Sequence, residues 1–181
     1  MMAISAGLIR RTEGQVRACL SERQKRNMEL SSILKPEAVK VISAASSKKR
    51  LLNEIGDIAA SVYGLDAATA VDALLEREGL GPTGVGRGVA LPHARLDSID
   101  HVVGIFVMME KPVDFESVDR QPVDLAFALF APKQDGVEHL KALARVSRML
   151  RDEAVCQKLR SNGDASTLFA ILTEDQSVQA A

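Results

Sequence analysis

The chain has no tryptophan, one tyrosine and five phenylalanines, so its core must be built largely from aliphatic side chains. It has only two cysteines, Cys19 and Cys156, isolated and far apart. That argues against a disulfide frame and fits a reducing cytosol in which both thiols are inert and buried. No apolar run approaches the ~20 residues needed to cross a bilayer, so no membrane insertion is expected. An excess of either charge is also missing. The formal net charge of −1 gives no reason to expect nucleic acid or an anionic membrane as partner. There is no internal repeat and no low-complexity segment. At 181 residues and 46% hydrophobic, the chain suits one globular domain.

The charge is unevenly spread. Residues 1–27 carry six basic side chains (Arg10, Arg11, Arg17, Arg23, Lys25, Arg26) and two acidic ones (Glu13, Glu22), a net +4, which leaves the remainder near −5. Arg10-Arg11 follow the apolar Ala3–Ile9 stretch, and no apolar segment comes after them, which argues against secretory and twin-arginine signals. Two readings of residues 1–27 stand: a disordered basic tail, or sequence upstream of a working start at Met28. The second is preferred. Residues 28–175 are expected to form the domain, and 176–181 a frayed tail.

What is there is a glycine-rich stretch, Gly81-Pro-Thr-Gly-Val-Gly-Arg-Gly-Val-Ala-Leu-Pro-His93-Ala-Arg95. A run of glycines can turn successive N–H groups towards one point, an anion-binding nest. Thr83, Gly84, Gly86 and Gly88 are therefore candidate phosphate-binding residues. Pro92 fixes its own φ and biases Leu91 towards an extended conformation, so the chain enters His93 with little slack. Imidazole titrates near neutrality, and one nitrogen can attack while the other is held by a hydrogen bond. Two nucleotide motifs are excluded. The spacing is G-x-G-x-G with a proline following, not a dinucleotide fingerprint, and Arg87-Gly88 replaces the Lys-Ser/Thr of a P-loop. A purely structural glycine turn remains the plain alternative.

Around this stretch the pattern is α/β, a mixed sheet flanked by helices in a single domain. Val39–Ile42 predicts a short strand. Ser46-Ser47 caps a helix carrying Leu51, Ile55, Ile58 and Val62 and stopped by Gly64. Asp66 caps a second helix with Val71, Leu74 and Leu75, ending at Gly79. Arg77 sits in its last turn, where it complements the helix dipole or, from its place before the glycine loop, neutralises a phosphoryl group. Val102–Met109 and Leu125–Ala131 are continuous apolar runs that predict interior strands, with a short edge segment at Val113–Phe115 between them. Asp135-Gly-Val-Glu138 has capping-box spacing before a helix whose apolar face is Leu140, Leu143, Val146 and Leu150. His139 then falls in its first turn. A helix N-terminus disfavours imidazolium, so a neutral ring is expected there, donating one hydrogen bond and accepting another. Residue type alone also fits an amphipathic surface histidine. His101 is expected to be structural or solvent-facing. No metal site is expected, because His93, His101 and His139 show no ligand spacing. Helices over Asp152–Arg160 and Ser166–Leu172 close the chain, separated by Asn162-Gly163.

Glu76-Arg77-Glu78 through Thr83-Gly84-Val85-Gly86 to Ala90-Leu91-Pro92-His93 resembles the active-site segment of the fructose/mannitol-type enzyme IIA domains of the bacterial phosphotransferase system. Within that superfamily the likeness is to the nitrogen-related enzyme IIA, over roughly residues 28 to 175. The resemblance implies the enzyme IIA sandwich fold, a cytoplasmic phosphotransferase with His93 at the phosphorylated Pro-His, Arg77 within the active site, and His139 as a second histidine in the matching His-Leu pair. It implies no metal or nucleotide cofactor, a phosphorylated HPr-like protein as donor, and regulatory targets such as sensor kinases or potassium transport proteins. Two alternatives accompany it: a sugar-specific enzyme IIA serving a separate IIB and permease, and a regulatory binding module that performs no transfer. Pro82, Arg87 and Ala94 depart from the family pattern. Arg87 adds a charge beside the loop and so bears on the donor more than on the chemistry.

Overall fold

A computed structural model of the chain describes residues 29–134 and 136–174. The expectations for residues 1–27, the Cys19 thiol, the Asp135 cap and the tail after Glu174 lie outside the described residues. After a 3-10 turn at Leu30–Ser32 come β1 (Leu34–Ala44), α1 (Lys48–Tyr63), α2 (Ala67–Gly79), β2 (Gly84–Gly86), β3 (Val89–Ala90), β4 (His93–Leu96), β5 (Val103–Val113), β6 (Val123–Pro132), α3 (Gly136–Arg151), α4 (Glu153–Arg160) and α5 (Ala165–Thr173).

The sheet is mixed, in the order β1-β5-β6-β3-β2, with β4 also pairing β6. β1 runs parallel to β5, β5 antiparallel to β6, and both β3 and β4 run parallel to β6. This is the α/β class expected, with helices flanking a mixed sheet. β5 and β6 are buried almost without interruption along their apolar runs, which requires cover on both faces. α1 and α2 pack on each other and reach β1, β5 and β4, while α3, α4 and α5 form a second group against β6 and β1.

Caps follow the sequence signals. Ser47 accepts from the Arg50 N–H, Gly64 ends α1 in the left-handed region at φ 71°, and Asp66 accepts from the Thr69 N–H. Asp152 caps α4, whereas α5 opens on Asp164 and not on Ser166. Three further expectations are corrected. β1 is longer than Val39–Ile42, because its pairing with β5 begins at Leu34. The edge segment at Val113–Phe115 does not exist as such. Val113 closes β5 opposite Val123, and Phe115 is fully buried in the connection. The core is also less purely aliphatic than the scarcity of rings suggested, since Phe106, Phe115, Phe127 and Phe130 are among its largest fully buried side chains.

A fourth correction concerns α3 and shapes the site. Its buried face is His139, Ala142, Val146, Met149 and Leu150, a closer i, i+3, i+4 stripe than the one built on leucines. Leu140, placed on the apolar face by the sequence, is 62% exposed, and the ring beside it is turned inwards.

Candidate functional site

β3 and β4 are in effect one strand interrupted at Leu91-Pro92. Val89 lies opposite Leu125 and His93 opposite Leu129, so the register along β6 is the same before and after the break. Pro92 has no N–H to offer the ladder, but its carbonyl still accepts from the Leu129 N–H at 3.0 Å. The interruption frees the Leu91 carbonyl, which meets His93 Nδ1 at 2.8 Å. A carbonyl only accepts, so Nδ1 carries the proton and Nε2 keeps its lone pair. That lone pair faces Arg77 Nε, which donates to it at 3.0 Å from the last turn of α2. Arg77 Nη1 also donates to the Gly81 carbonyl at 3.1 Å.

His139 reaches the same place from the first turn of α3. Its ring lies 5.4 Å from that of His93, tilted by 60°, and it is 5% exposed. Arg95 Nε donates to its Nδ1 at 3.2 Å. Its Nε2 is buried and has no hydrogen-bond partner among the described residues. Together Arg77, His93, Arg95 and His139 line a pocket of about 390 Å³ whose apolar walls include Leu80, Leu140 and Leu143. Leu80 is 83% exposed, so the mouth of the pocket is greasy and open to solvent.

Both rings are held neutral. Burial pushes the His93 pKa below its ordinary value, with the Arg77 charge adding to the effect against the opposing Leu91 hydrogen bond. His139 is lowered to about 4, first by burial and then by the charges of His93, Arg95 and Arg77. The expected neutrality of His139 holds, but burial and not the helix terminus is its leading cause. An uncharged ring with a lone pair on one nitrogen and a held proton on the other has the make-up of a nucleophile once the lone pair is uncovered.

The glycine loop is placed differently from the expectation. None of Thr83, Gly84, Gly86 and Gly88 lines the pocket. The stretch is a hairpin, β2 against β3, in which the Thr83 and Arg87 donors are already engaged. Thr83 N–H donates to both carboxylate oxygens of Glu78 at 3.1 Å, and its hydroxyl donates to the same group. Arg87 N–H donates to Asp119 at 2.8 Å. Gly84 is required for space, because a Cβ there would lie 2.9 Å from the Ser117 backbone. Gly88 is required for its turn at φ 78°. The Thr83 and Arg87 amides are thus turned to carboxylates of the chain itself and not to His93.

His101 is exposed and paired with Asp100 at 2.5 Å, as a solvent-facing residue should be. Among the described residues no three His, Cys, Asp or Glu side chains are placed to hold a metal ion, and no helix is long and apolar enough to cross a membrane. Cys156 is buried, with its thiol on the Leu150 carbonyl. The sequence reading missed Arg95. Strand alternation carries the signal, since residues 93 and 95 of one strand share a face.

Residues 32–175 match the model of the family described as phosphoenolpyruvate-dependent sugar phosphotransferase system, EIIA 2. The chain belongs to this family. It is 43% identical over 145 residues to the nitrogen regulatory protein of Bradyrhizobium diazoefficiens, covering 80% of this chain and 95% of that protein. It is 37% identical over 150 residues to the nitrogen regulatory protein of Escherichia coli K12, covering 82% and 92%. The crystal structure of the nitrogen regulatory protein IIA-Ntr from Neisseria meningitidis superposes with a TM-score of 0.72 at 33% identity, covering 78% of this chain and 97% of that one. The fold is therefore the enzyme IIA sandwich, and the family is that of the nitrogen regulatory enzymes IIA. The family match spans the pocket residues, all five helices and all six strands; of the described residues only 29–31 lie before it.

Proposed function

We propose that the chain is a phosphocarrier in which His93 Nε2 accepts a phosphoryl group from a phosphohistidine on a small HPr-like donor protein. The observation that carries the reading is the held His93 ring, with Nδ1–H on the Leu91 carbonyl and the Nε2 lone pair facing the pocket residue Arg77. In the transfer, the Nε2 lone pair forms a bond to phosphorus as the donor's P–N bond breaks. The departing nitrogen keeps the electron pair. If the donor ring starts protonated on its other nitrogen it leaves as neutral imidazole, and His93 keeps Nδ1–H on Leu91, so no proton need cross between the proteins.

Such a transfer needs alignment and charge stabilisation more than covalent help. Arg77 Nε–H now occupies the lone pair that must attack, so the guanidinium has to shift from nitrogen to a phosphoryl oxygen as the donor arrives. It is suited to do so, because a guanidinium binds phosphoryl oxygens with several parallel donors. His139 adds a donor from its unpartnered nitrogen. The exposed apolar mouth at Leu80 and Leu140 suits a protein donor better than a small polar one.

The regulatory part of the proposal follows the relatives' names. Phosphorylation adds charge and strong acceptors beside an apolar surface, enough to create or abolish an interface. Nitrogen- and potassium-related partners, sensor kinases or potassium transport proteins among them, would then read the state of His93. Intact-mass analysis after incubation with a phosphorylated HPr-type donor tests the chemistry. The wild type should gain one acid-labile phosphoryl group and His93→Ala none. Modification of both would place the acceptor elsewhere. Modification of neither by any donor in a cell extract would leave a binding module. Onward passage from the phosphorylated form to an enzyme IIB would mark sugar uptake instead of regulation.

A further inference from the structure

The pocket pairs two histidines with two arginines, and the His93–Arg77 pair is the one that phosphoryl acceptance explains directly. The second pair has its own logic. Arg95 Nε–H meets His139 Nδ1 at 3.2 Å. A guanidinium has donors and no acceptor, so Nδ1 must present its lone pair, and in a neutral ring the proton then sits on Nε2. The other tautomer would set two N–H groups against each other at that distance. Nε2–H is left as a buried donor with no partner among the described residues, on a ring 5% exposed and 5.4 Å from His93. A buried, unmatched donor is costly and calls for a reason.

We propose that Arg95 is a positioning residue: it holds neutral His139 in the Nε2–H tautomer, so that the ring offers a ready donor to a phosphoryl oxygen on His93. The reason for the unmatched Nε2–H is then the phosphoryl group it awaits. The proposal rests on the phosphocarrier reading of the pocket. The architecture supports it. Arg95 lies two residues after His93 on β4, and its contact ties the first turn of α3 to the strand that carries the nucleophile. A donor fixed before the phosphoryl group arrives needs no reorganisation during transfer. Arg95 is an exposed residue at the pocket edge, so truncating it leaves the core intact.

The test uses the full-length protein with ¹⁵N-labelled histidine. Long-range proton–nitrogen correlation near neutral pH should show His139 with a protonated-type Nε2 and an unprotonated-type Nδ1. In Arg95→Ala the two nitrogens should move towards averaged positions, and Arg95→Lys, which keeps a donor, should recover part of the difference. The rate of phosphoryl acceptance should fall roughly tenfold in Arg95→Ala and roughly a hundredfold in His139→Ala, the scale for losing a preorganised donor. The double variant should be no slower than His139→Ala alone, because Arg95 acts through that ring. An unchanged tautomer in Arg95→Ala overturns the proposal. So does a double variant whose losses multiply, which would put Arg95 on the phosphoryl group itself. A wild type that accepts no phosphate brings down the phosphocarrier reading instead, and the tautomer comparison still decides what Arg95 does to the ring.

Discussion

The hairpin at residues 83–90 and the pocket beside it are built from the same stretch of sequence, yet they are opposites in how their polar groups are used. In the hairpin polar groups have partners: Thr83 N–H donates to Glu78, Arg87 N–H to Asp119, and the Arg87 carbonyl accepts from Arg160 at 2.9 Å. In the pocket a histidine Nε2 is left without a partner, a lone pair is covered only by a movable guanidinium, and both rings are held away from their ordinary pKa values. An anion can be bound only by donors that are not already engaged. The glycines therefore give the chain its shape, and in the proposed phosphocarrier it is the arginine–histidine pairs that carry the chemistry.

The largest effect that would separate the two regions comes from Glu78. Its side chain is 7% exposed, pairs with Lys48 at 2.8 Å and accepts every donor that Thr83 offers. Glu78→Ala leaves those donors without a partner and Lys48 with only the exposed Glu116 at 2.8 Å, and should lower the unfolding free energy by about 4 kcal/mol. Urea titration checks this. The same variant, assayed cold and still folded, should accept phosphate within about threefold of the wild type, because Glu78 does not line the pocket. Loss of acceptance in a folded protein would erase the distinction between scaffold and site.

A second, smaller effect arises on the pocket side. His139 titrates near 4 in the folded chain, against about 6.5 for an unperturbed ring. Between those values the unfolded chain binds a proton that the folded one refuses. The stability is thus whole above about pH 6.5, falls as the pH drops towards 4, and levels off below. The ring accounts for up to about 3 kcal/mol of this fall. Carboxylates protonate over the same range, so the measurement is the difference between wild type and His139→Gln across it. His93, lowered by burial, adds a slope of the same sign. Parallel profiles would mean that His139 is more hydrated than its 5% exposure implies.

How far this was legible in the sequence follows the same division. Caps and long apolar runs are local signals, and Ser47, Gly64, Asp66, β5 and β6 fell where those signals put them. His93 was legible as well, because Leu91-Pro92 constrains the chain on one side of it. What the sequence misplaced depends on contacts far along the chain. The glycine loop looked like an anion nest because Glu78 and Asp119 are invisible as partners until the fold delivers them. The helix face was misread because leucine outranks histidine and alanine on any hydropathy scale, while packing against β6 selected His139 and Ala142. Arg95 was readable in principle from strand alternation, but only once β4 was known to be a strand.

Arg87 offers the smallest change and the finest discrimination. By the resemblance of the sequence it departs from the family pattern, and its charge lies beside the loop. Its backbone sits at φ 57°, the left-handed region that costs an ordinary side chain about 1 kcal/mol and that asparagine tolerates better. Its N–H and carbonyl are bound to Asp119 and Arg160 whatever the side chain, so Arg87→Asn keeps both bonds and relieves strain. Thermal unfolding should show a gain of about 0.5 kcal/mol. The rate of phosphoryl acceptance should not change at all if the hairpin is scaffold alone. If the variant is more stable but accepts phosphate several-fold more slowly, and the loss shrinks at high salt, Arg87 steers an acidic patch of the donor. The hairpin would then belong to the docking surface without belonging to the site, and the boundary between the two regions would lie at the side chain of a single residue.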